Sequence, residues 1–187
     1  MTFRELYNSV LRESSSDEEP PFPVKQKQFV KGEIITAYNQ IEKGVYFMNQ
    51  GIVEMTIKSY NTEKIIDFFF DNEIFCGFTS FLNQKPTDVQ IVTLIDCEVE
   101  MIDREALMNA YEHSLHANTF GRILTEQGYL RKSNREKDFL SKTAEERYAE
   151  MFDTHSKYLL NIPVNKIAKY LGIHPESLSR IRNKMNT

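Results

Sequence analysis

The polar residues best suited to contact a large partner are concentrated at the end of the chain. Residues 163–187 hold five basic residues and one acid, a net charge of +4, whereas the whole chain carries -4. Arginine can donate two hydrogen bonds to guanine, glutamate can accept one from cytosine, and lysine holds phosphate as a point charge. A basic segment on an acidic body therefore indicates a polyanion such as a nucleic acid as partner.

Two helices separated by a short turn must position these residues. Pro163 opens the first helix, Gly172 ends it, and Pro175 suits the first position of the second. The apolar residues of the first helix recur at helical spacing: Val164, Ile167, Ala168 and Leu171. At 100° per residue, the apolar residues of the second helix share one face, which leaves its polar residues on the other. These apolar residues are Leu178, Ile181 and Met185.

Such a helix fits the major groove of DNA, with its apolar face packed on the protein. We predict base contacts by Glu176, Ser177 and Arg180. We predict contacts to the DNA backbone by Lys166, Lys169, Arg182 and Lys184. The alternative is an ordinary amphipathic helix that packs on a core and exposes a solvated face.

Upstream of this helix pair the residue pattern changes twice along the chain. Residues 1–13 predict a short helix, followed by the polar segment 14–21. From about 28 to 103, short stretches rich in Val, Ile, Phe, Tyr and Thr are punctuated by Gly, Asn and Pro, which predicts a β-sandwich or roll. After Asp103 the pattern is helical to the end of the chain. The fold class expected is therefore α+β.

A long helix over residues 116–140 links the two parts. Its narrow, partly polar stripe is typical of a helix that pairs with a second copy of itself, with packing on its own β-domain as the alternative. The stripe consists of Phe120, Ile123, Leu124, Gln127 and Leu130. We accordingly divide the chain into a β-roll sensor (1–115), a dimerisation helix (116–140) and a DNA-binding module (141–187).

Composition argues against several other classes. Cys76 and Cys97, each flanked by apolar residues, predict buried reduced thiols rather than a disulfide framework, and iron–sulfur clusters need about four cysteines. The stretch 28–103 contains no histidine, which argues against haem sensing and against metal-dependent enzymes on similar rolls. We predict neither cofactor nor resident metal. The apolar runs are too short to cross a bilayer and the first residues lack a signal layout, so a cytoplasmic protein is expected.

The segments "TAEERYAEMF" and "IPVNKIAKYLGIHPESLSRIRNKM" resemble the C-terminal end of Crp/Fnr-family transcriptional regulators. The upstream "KGEII", "GVYFMNQGIVEM" and "IFCGFTSFLNQKP" resemble that family's cyclic-nucleotide-binding-type β-roll. The resemblance implies a jelly-roll sensor, a dimer helix and a helix-turn-helix that reads a roughly palindromic operator. It also implies that Glu176 and Arg180 read bases, with a further contact near Ser177. Many members continue into a β-hairpin wing, which this sequence is expected to lack.

One departure from that family concerns the effector. Members that bind cyclic nucleotides hold the ribose with a Glu and the phosphate with an Arg, and these positions fall on Gly77 and Thr87 here. Neither residue can replace them, so we expect cyclic AMP to bind weakly or not at all. The roll then binds either a different effector or none, and the candidate pocket for an effector consists of Phe75, Gly77, Phe78, Lys85 and Thr87.

The expected function is a homodimeric, sequence-specific DNA-binding transcriptional regulator that is not an enzyme. Its expected partners are an operator in double-stranded DNA and a second copy of the chain, with RNA polymerase and an unidentified small molecule as further candidates and no membrane. The alternatives are a small-molecule-sensing module without regulated DNA binding and a cupin-like enzyme on the same kind of roll.

Overall fold

The computed structural model describes residues 1–11, 19–60 and 62–185, which contain eight strands and seven helices. The strands are β1 (Lys25–Phe29), β2 (Ile34–Thr36), β3 (Gly44–Gln50), β4 (Val53–Ser59), β5 (Thr62–Phe69), β6 (Ile74–Phe75), β7 (Val89–Thr93) and β8 (Cys97–Asp103). The helices are α1 (Phe3–Leu11), α2 (Phe78–Asn83), α3 (Arg104–His113), α4 (Leu115–Ser141), α5 (Ala144–Leu159), α6 (Val164–Leu171) and α7 (Pro175–Met185).

The strands form two antiparallel sheets of four, ordered β1-β8-β3-β6 and β2-β7-β4-β5. Their β-branched and aromatic side chains suit a pleated surface that is buried on one face. Phe47, Met48 and Val53 have no measurable exposure, and Val99 and Ile91 are equally buried. The α+β fold class and the roll that the sequence predicts are therefore confirmed.

The N-terminal helix α1 covers the end of the roll. It begins at Phe3 and is described as far as Leu11, within the predicted 1–13. Residues 12–13 of the predicted helix and residues 14–18 of the predicted polar segment lie outside the described residues. The rings of Phe3 and Tyr7 pack on Phe120 of α4, with centroid separations of 5.4 and 4.9 Å. Aromatic pairs of this kind add stabilisation beyond the burial of area.

Helix α4 is 27 residues long and begins and ends one residue beyond the predicted 116–140. Ser114 caps it by accepting a hydrogen bond from the Ala117 N–H at 3.2 Å. Further along, the guanidinium of Arg131 donates to Asp67 at 3.1 Å and to Glu73 at 2.9 Å, and it also reaches the Phe68 carbonyl at 2.9 Å. One arginine thus ties the middle of α4 to the end of β5.

The terminal helices rest on the second sheet. A single apolar cluster joins Ile52, Phe68 and Phe70 of the roll to buried residues of α5, α6 and α7. The rings of Phe68 and Tyr170 lie 5.2 Å apart, so α6 packs directly over β5. The division at residues 115 and 140 stays a prediction, since this cluster runs across it.

Candidate nucleic-acid interface

The turn between α6 and α7 is set by one glycine. Gly172 has φ +74° and ψ 29°, a left-handed conformation that most residues avoid. Its N–H and that of Ile173 return to the last carbonyls of α6, at 3.2 Å from Lys169 O and 3.0 Å from Ala168 O. The chain therefore leaves α6 sharply and enters α7 at Pro175, as the sequence predicts.

The apolar face of the pair is buried as expected. Ile167 and Ala168 of α6 and Leu178 of α7 have no measurable exposure, and Leu171 is 1% exposed. Met185, which the sequence assigns to the same face, is 41% exposed. The anchor of α7 is therefore Leu178, with Ile181 partly buried against the same cluster.

The opposite face of α7 is open to solvent. Glu176, Ser177 and Arg180 are all exposed, and no ion pair or side-chain hydrogen bond involves them within the described ranges. Their donors and acceptors are available to an external partner, and they lie within five residues of one helix. The structure thus brings the three predicted base-reading residues together on one surface.

The four residues predicted to contact the DNA backbone are not all exposed and unpaired in the same way. Lys169 is exposed, whereas Lys166 pairs with Glu54 of β4 at 2.5 Å, and the Glu54 side chain is only 8% exposed. Arg182 donates from Nε to the Tyr148 hydroxyl at 2.9 Å. Lys166 is therefore held by the roll, and a phosphate would compete with Glu54 for its ammonium group.

Lys184 pairs with Glu145 at 2.6 Å, and both side chains are largely exposed. Exposed ion pairs are worth about 0–1 kcal/mol, so phosphate can compete for Lys184 readily. Counting only partners in the described part of the chain, the predicted set contains one unpaired cation, one weakly paired cation and two cations with firmer partners.

Helix α5 packs against α6 and α7. Thr143 and Glu146 form the capping box that their spacing predicts, and Glu146 accepts from the Thr143 N–H at 2.7 Å. Arg147 then donates to the Lys142 carbonyl at 2.6 Å and to the Leu171 carbonyl at 2.8 Å. Its guanidinium therefore holds the C-terminal ends of α4 and α6 together.

The predicted dimer stripe divides between two environments. Phe120 is 2% exposed and Leu124 is partly buried, and both pack on the core of their own chain. The prediction that Phe120 faces a second copy is wrong, because α1 already covers it. Gln127 and Leu130 are exposed, with Leu130 58% exposed, and Ile123 lies at the margin. The available surface of α4 is thus its middle and C-terminal part.

The predicted effector residues lie in different environments. Phe75 is buried and stacks on Tyr46 with a centroid separation of 5.3 Å, while Phe78 and Lys85 are exposed. Gly77 and Thr87 are buried beside the carboxylate of Glu42, which accepts from the Gly77 N–H at 3.0 Å. A cleft of about 380 Å³ lies elsewhere, between β5, α4, α5 and α6.

Both cysteines are buried and unpaired by disulfides. Burial raises the pKa of Cys97 to about 11 and raises that of Cys76 further, with the Glu42 charge adding to the effect at Cys76. Such thiols stay protonated near neutral pH and are poor nucleophiles and metal ligands.

Within residues 1–11, 19–60 and 62–185, no group of three His, Cys, Asp or Glu side chains is arranged to hold a metal. No described helix combines the length and apolar character needed to cross a membrane.

Sequence reasoning missed Arg131, Arg147, Glu54 and Glu42. Arg131 follows Phe120 and Leu124 on the inward face of α4, and this spacing was the available signal. The contacts of the other three join residues far apart in the sequence or lie in loops, where periodicity carries no information.

Comparison with known proteins agrees with this architecture. Residues 26–114 match the family described as cyclic nucleotide-binding domain. FixK2 from Bradyrhizobium japonicum is similar in structure, with a TM-score of 0.76, 20% identity and coverage of 88% of this chain and 85% of that one. A protein of Eubacterium rectale assigned to the Crp/Fnr family of transcriptional regulators gives a TM-score of 0.68 at 16% identity, covering 97% and 82%.

CLP, a c-di-GMP-responsive global regulator of Xanthomonas campestris, gives a TM-score of 0.65 at 15% identity, covering 87% of this chain and 86% of that one. No curated protein sequence is significantly similar to the chain. Residues 26–114 thus match the model of the cyclic nucleotide-binding domain family, and the fold of the chain is similar to that of solved Crp/Fnr transcriptional regulators.

Proposed function

We propose that this protein is a sequence-specific DNA-binding transcriptional regulator that acts as a homodimer. The observation that carries the proposal is the open face of α7, where Glu176, Ser177 and Arg180 are exposed and without partners in the described residues. Leu178 anchors the helix from behind. A helix that is fixed on one side and unsatisfied on the other suits insertion into the major groove.

Each exposed residue has a role in this proposal. Arg180 donates two hydrogen bonds to a guanine, Glu176 accepts from a cytosine amino group, and Ser177 contacts a base edge or a neighbouring phosphate. Lys169 and Lys184 supply phosphate contacts, because neither is held firmly within the chain. Such a regulator acts where the bacterial chromosome lies, in the cytoplasm.

The proposed dimer uses the exposed part of α4. Gln127 and Leu130 lie on this surface, and a polar residue within an otherwise apolar seam can fix the register of two helices. Two copies related by a two-fold axis read two half-sites that are about one helical turn of DNA apart. A contact with RNA polymerase stays a prediction.

The alternative is a sensing module that does not bind DNA specifically. It is favoured by the intramolecular partners of Lys166 and Arg182, which remove two cations from the predicted backbone contacts. The two functions differ in what purified protein does with DNA. A regulator enriches defined, two-fold related sequences from a random library, whereas the module enriches none.

After selection of bound sequences from the random DNA library, Arg180 is replaced by alanine. Binding of the variant is then measured by gel-shift titration on an enriched DNA sequence and on copies of that sequence that differ at one base pair. Loss of about 1–3 kcal/mol of binding free energy, with relaxed preference at one base in each half-site, is expected. Arg122→Ala is the matched control, because Arg122 is exposed on α4 and pairs only with Glu126 in the described residues. Equal binding by both variants would remove Arg180 from the reading surface.

A further inference from the structure

The roll contains a carboxylate in its interior. Glu42 lies directly before β3 and is 2% exposed. Within the described residues it makes no ion pair, so no cation neutralises its charge at short range. An isolated carboxylate in a protein interior is strongly unfavourable unless hydrogen bonds satisfy it.

Donors from three parts of the roll converge on this group. Its Oε2 atom accepts from the Thr36 hydroxyl at 2.8 Å and from the Gly77 N–H at 3.0 Å. Its Oε1 atom accepts from the Lys43 N–H at 3.0 Å, with longer contacts of 3.4 Å to the Gly44 N–H and the Tyr46 hydroxyl. Three backbone N–H groups and two hydroxyls thus form a cradle for one anion. We call these five donors, from Thr36, Lys43, Gly44, Tyr46 and Gly77, the anion cradle.

The backbone of Glu42 is fastened to the same region. Its N–H donates to the Ser80 hydroxyl at 3.0 Å, and that hydroxyl donates to the Lys85 carbonyl at 2.5 Å. Glu42 thereby connects residues 77–87 to the segment that leads into β3 at more than one point. The carboxylate is part of the local architecture and does not hang freely into the roll.

The cradle has no room for a second anion. A Cβ atom built on Gly77 would lie 3.3 Å from Glu42 Oε2 and 3.3 Å from the Thr87 hydroxyl, so even a methyl group is tight there. A phosphate placed on the same donors would meet a negative charge at contact distance in a medium of low dielectric constant. The five donors of the anion cradle are already used by Glu42.

We propose that Glu42 is an internal ligand of the roll, whose carboxylate fills the anion cradle and excludes phosphate-bearing effectors from it. The inference gives a physical basis for the expectation, drawn from the sequence, that cyclic AMP binds weakly or not at all. It concerns the roll alone and does not depend on DNA binding by α7. Its tests measure stability and nucleotide binding, so their failure leaves the DNA-binding proposal untouched.

The experiment restores the carboxylate from solution. Glu42→Ala removes a CH₂ group and a carboxylate, which together correspond to acetate. In thermal unfolding of the full chain at pH 7.5, the substitution should lower Tm by about 5–10 °C, and acetate at constant ionic strength should recover about 2–4 °C of that loss. Chloride should not recover it, and acetate should leave the wild-type Tm unchanged. Glu176→Ala is the matched control, since that carboxylate is exposed and needs no replacement.

A Glu42→Ala protein as stable as the wild type, or one that acetate and chloride affect equally, would overturn the proposal. Wild-type protein supplies an independent test if the alanine variant does not fold. Calorimetric titration of the wild type with cyclic AMP should give no binding heat, and binding in the micromolar range would show that the cradle accepts a phosphate after all.

Discussion

The anion cradle around Glu42 and the outer face of α7 are both sets of polar groups in regions that the sequence predicts to be functional. They differ in whether their hydrogen-bonding groups find partners within the chain. In the roll, five donors converge on a carboxylate of the same chain. On α7, Glu176 and Arg180 point into solvent without partners in the described residues. A polar set closed by its own chain is structural, whereas one left open is available for recognition. Residue type alone does not separate these cases.

The largest expected effect tests whether the buried side chain of Leu178 anchors α7 to the rest of the protein. Leu178→Ala should lower the free energy of unfolding by about 2–4 kcal/mol in denaturant titration, because Leu178 is completely buried and its removal leaves a cavity. Met185→Ala, at a residue 41% exposed on the same helix, should change it by about 0.5 kcal/mol or less. Equal losses for the two variants would mean that α7 is not anchored as described, and the contrast with the roll would fail.

A smaller effect concerns Lys166 of α6, which the sequence predicts to contact DNA and which Glu54 of the roll satisfies instead. Glu54→Gln removes the partner charge and should release Lys166 for phosphate, so that the slope of log affinity against log salt steepens by about 0.9 in gel-shift titrations. Glu63→Gln is the control, since Glu63 is exposed on the neighbouring strand and, among the described residues, accepts a hydrogen bond only from the Tyr38 hydroxyl at 3.2 Å. If both variants keep the wild-type slope, Lys166 takes no part in DNA binding.

The smallest effect concerns His155 of α5, a partly buried side chain that packs on the roll. His155 stacks on Phe70 with a centroid separation of 4.3 Å, and burial lowers its pKa below the usual value, with nearby Arg131 acting in the same direction and Glu73 and Asp67 opposing it. The unfolded chain therefore binds a proton more readily, so the stability contributed by neutral His155 is present above about pH 6.5 and is lost as pH falls below it.

Urea unfolding at pH 7.5 and pH 5.5 checks this sign. The wild type should lose more stability over that interval than His155→Gln does, since glutamine does not titrate. The same loss in both proteins would assign the pH dependence to other groups.

The faces of α6 and α7 could be predicted from sequence because a helix repeats every 3.6 residues and its apolar and polar residues separate cleanly. The roll could be recognised for a similar reason, from short β-like stretches between turns. In both cases the information is local.

The partners of each face could not be predicted in the same way. Periodicity marks Phe120 as inward-facing but does not distinguish a second copy of the chain from α1, which covers it here. Lys166 reads as a free cation because Glu54 is 112 residues away, and Glu42 lies in a loop 35 residues from Gly77. Contacts of this range depend on how the two sheets and the terminal helices pack.

Arg147 has a consequence for how the two ends of the molecule move. Its planar guanidinium donates in fixed directions to the last turns of α4 and α6, at Lys142 O and Leu171 O. Torque applied along α4 would therefore reach α6 and α7 through a rigid connection rather than a flexible hinge. In the proposed dimer, a small twist of the two α4 helices would change the distance between the two proposed DNA-reading helices.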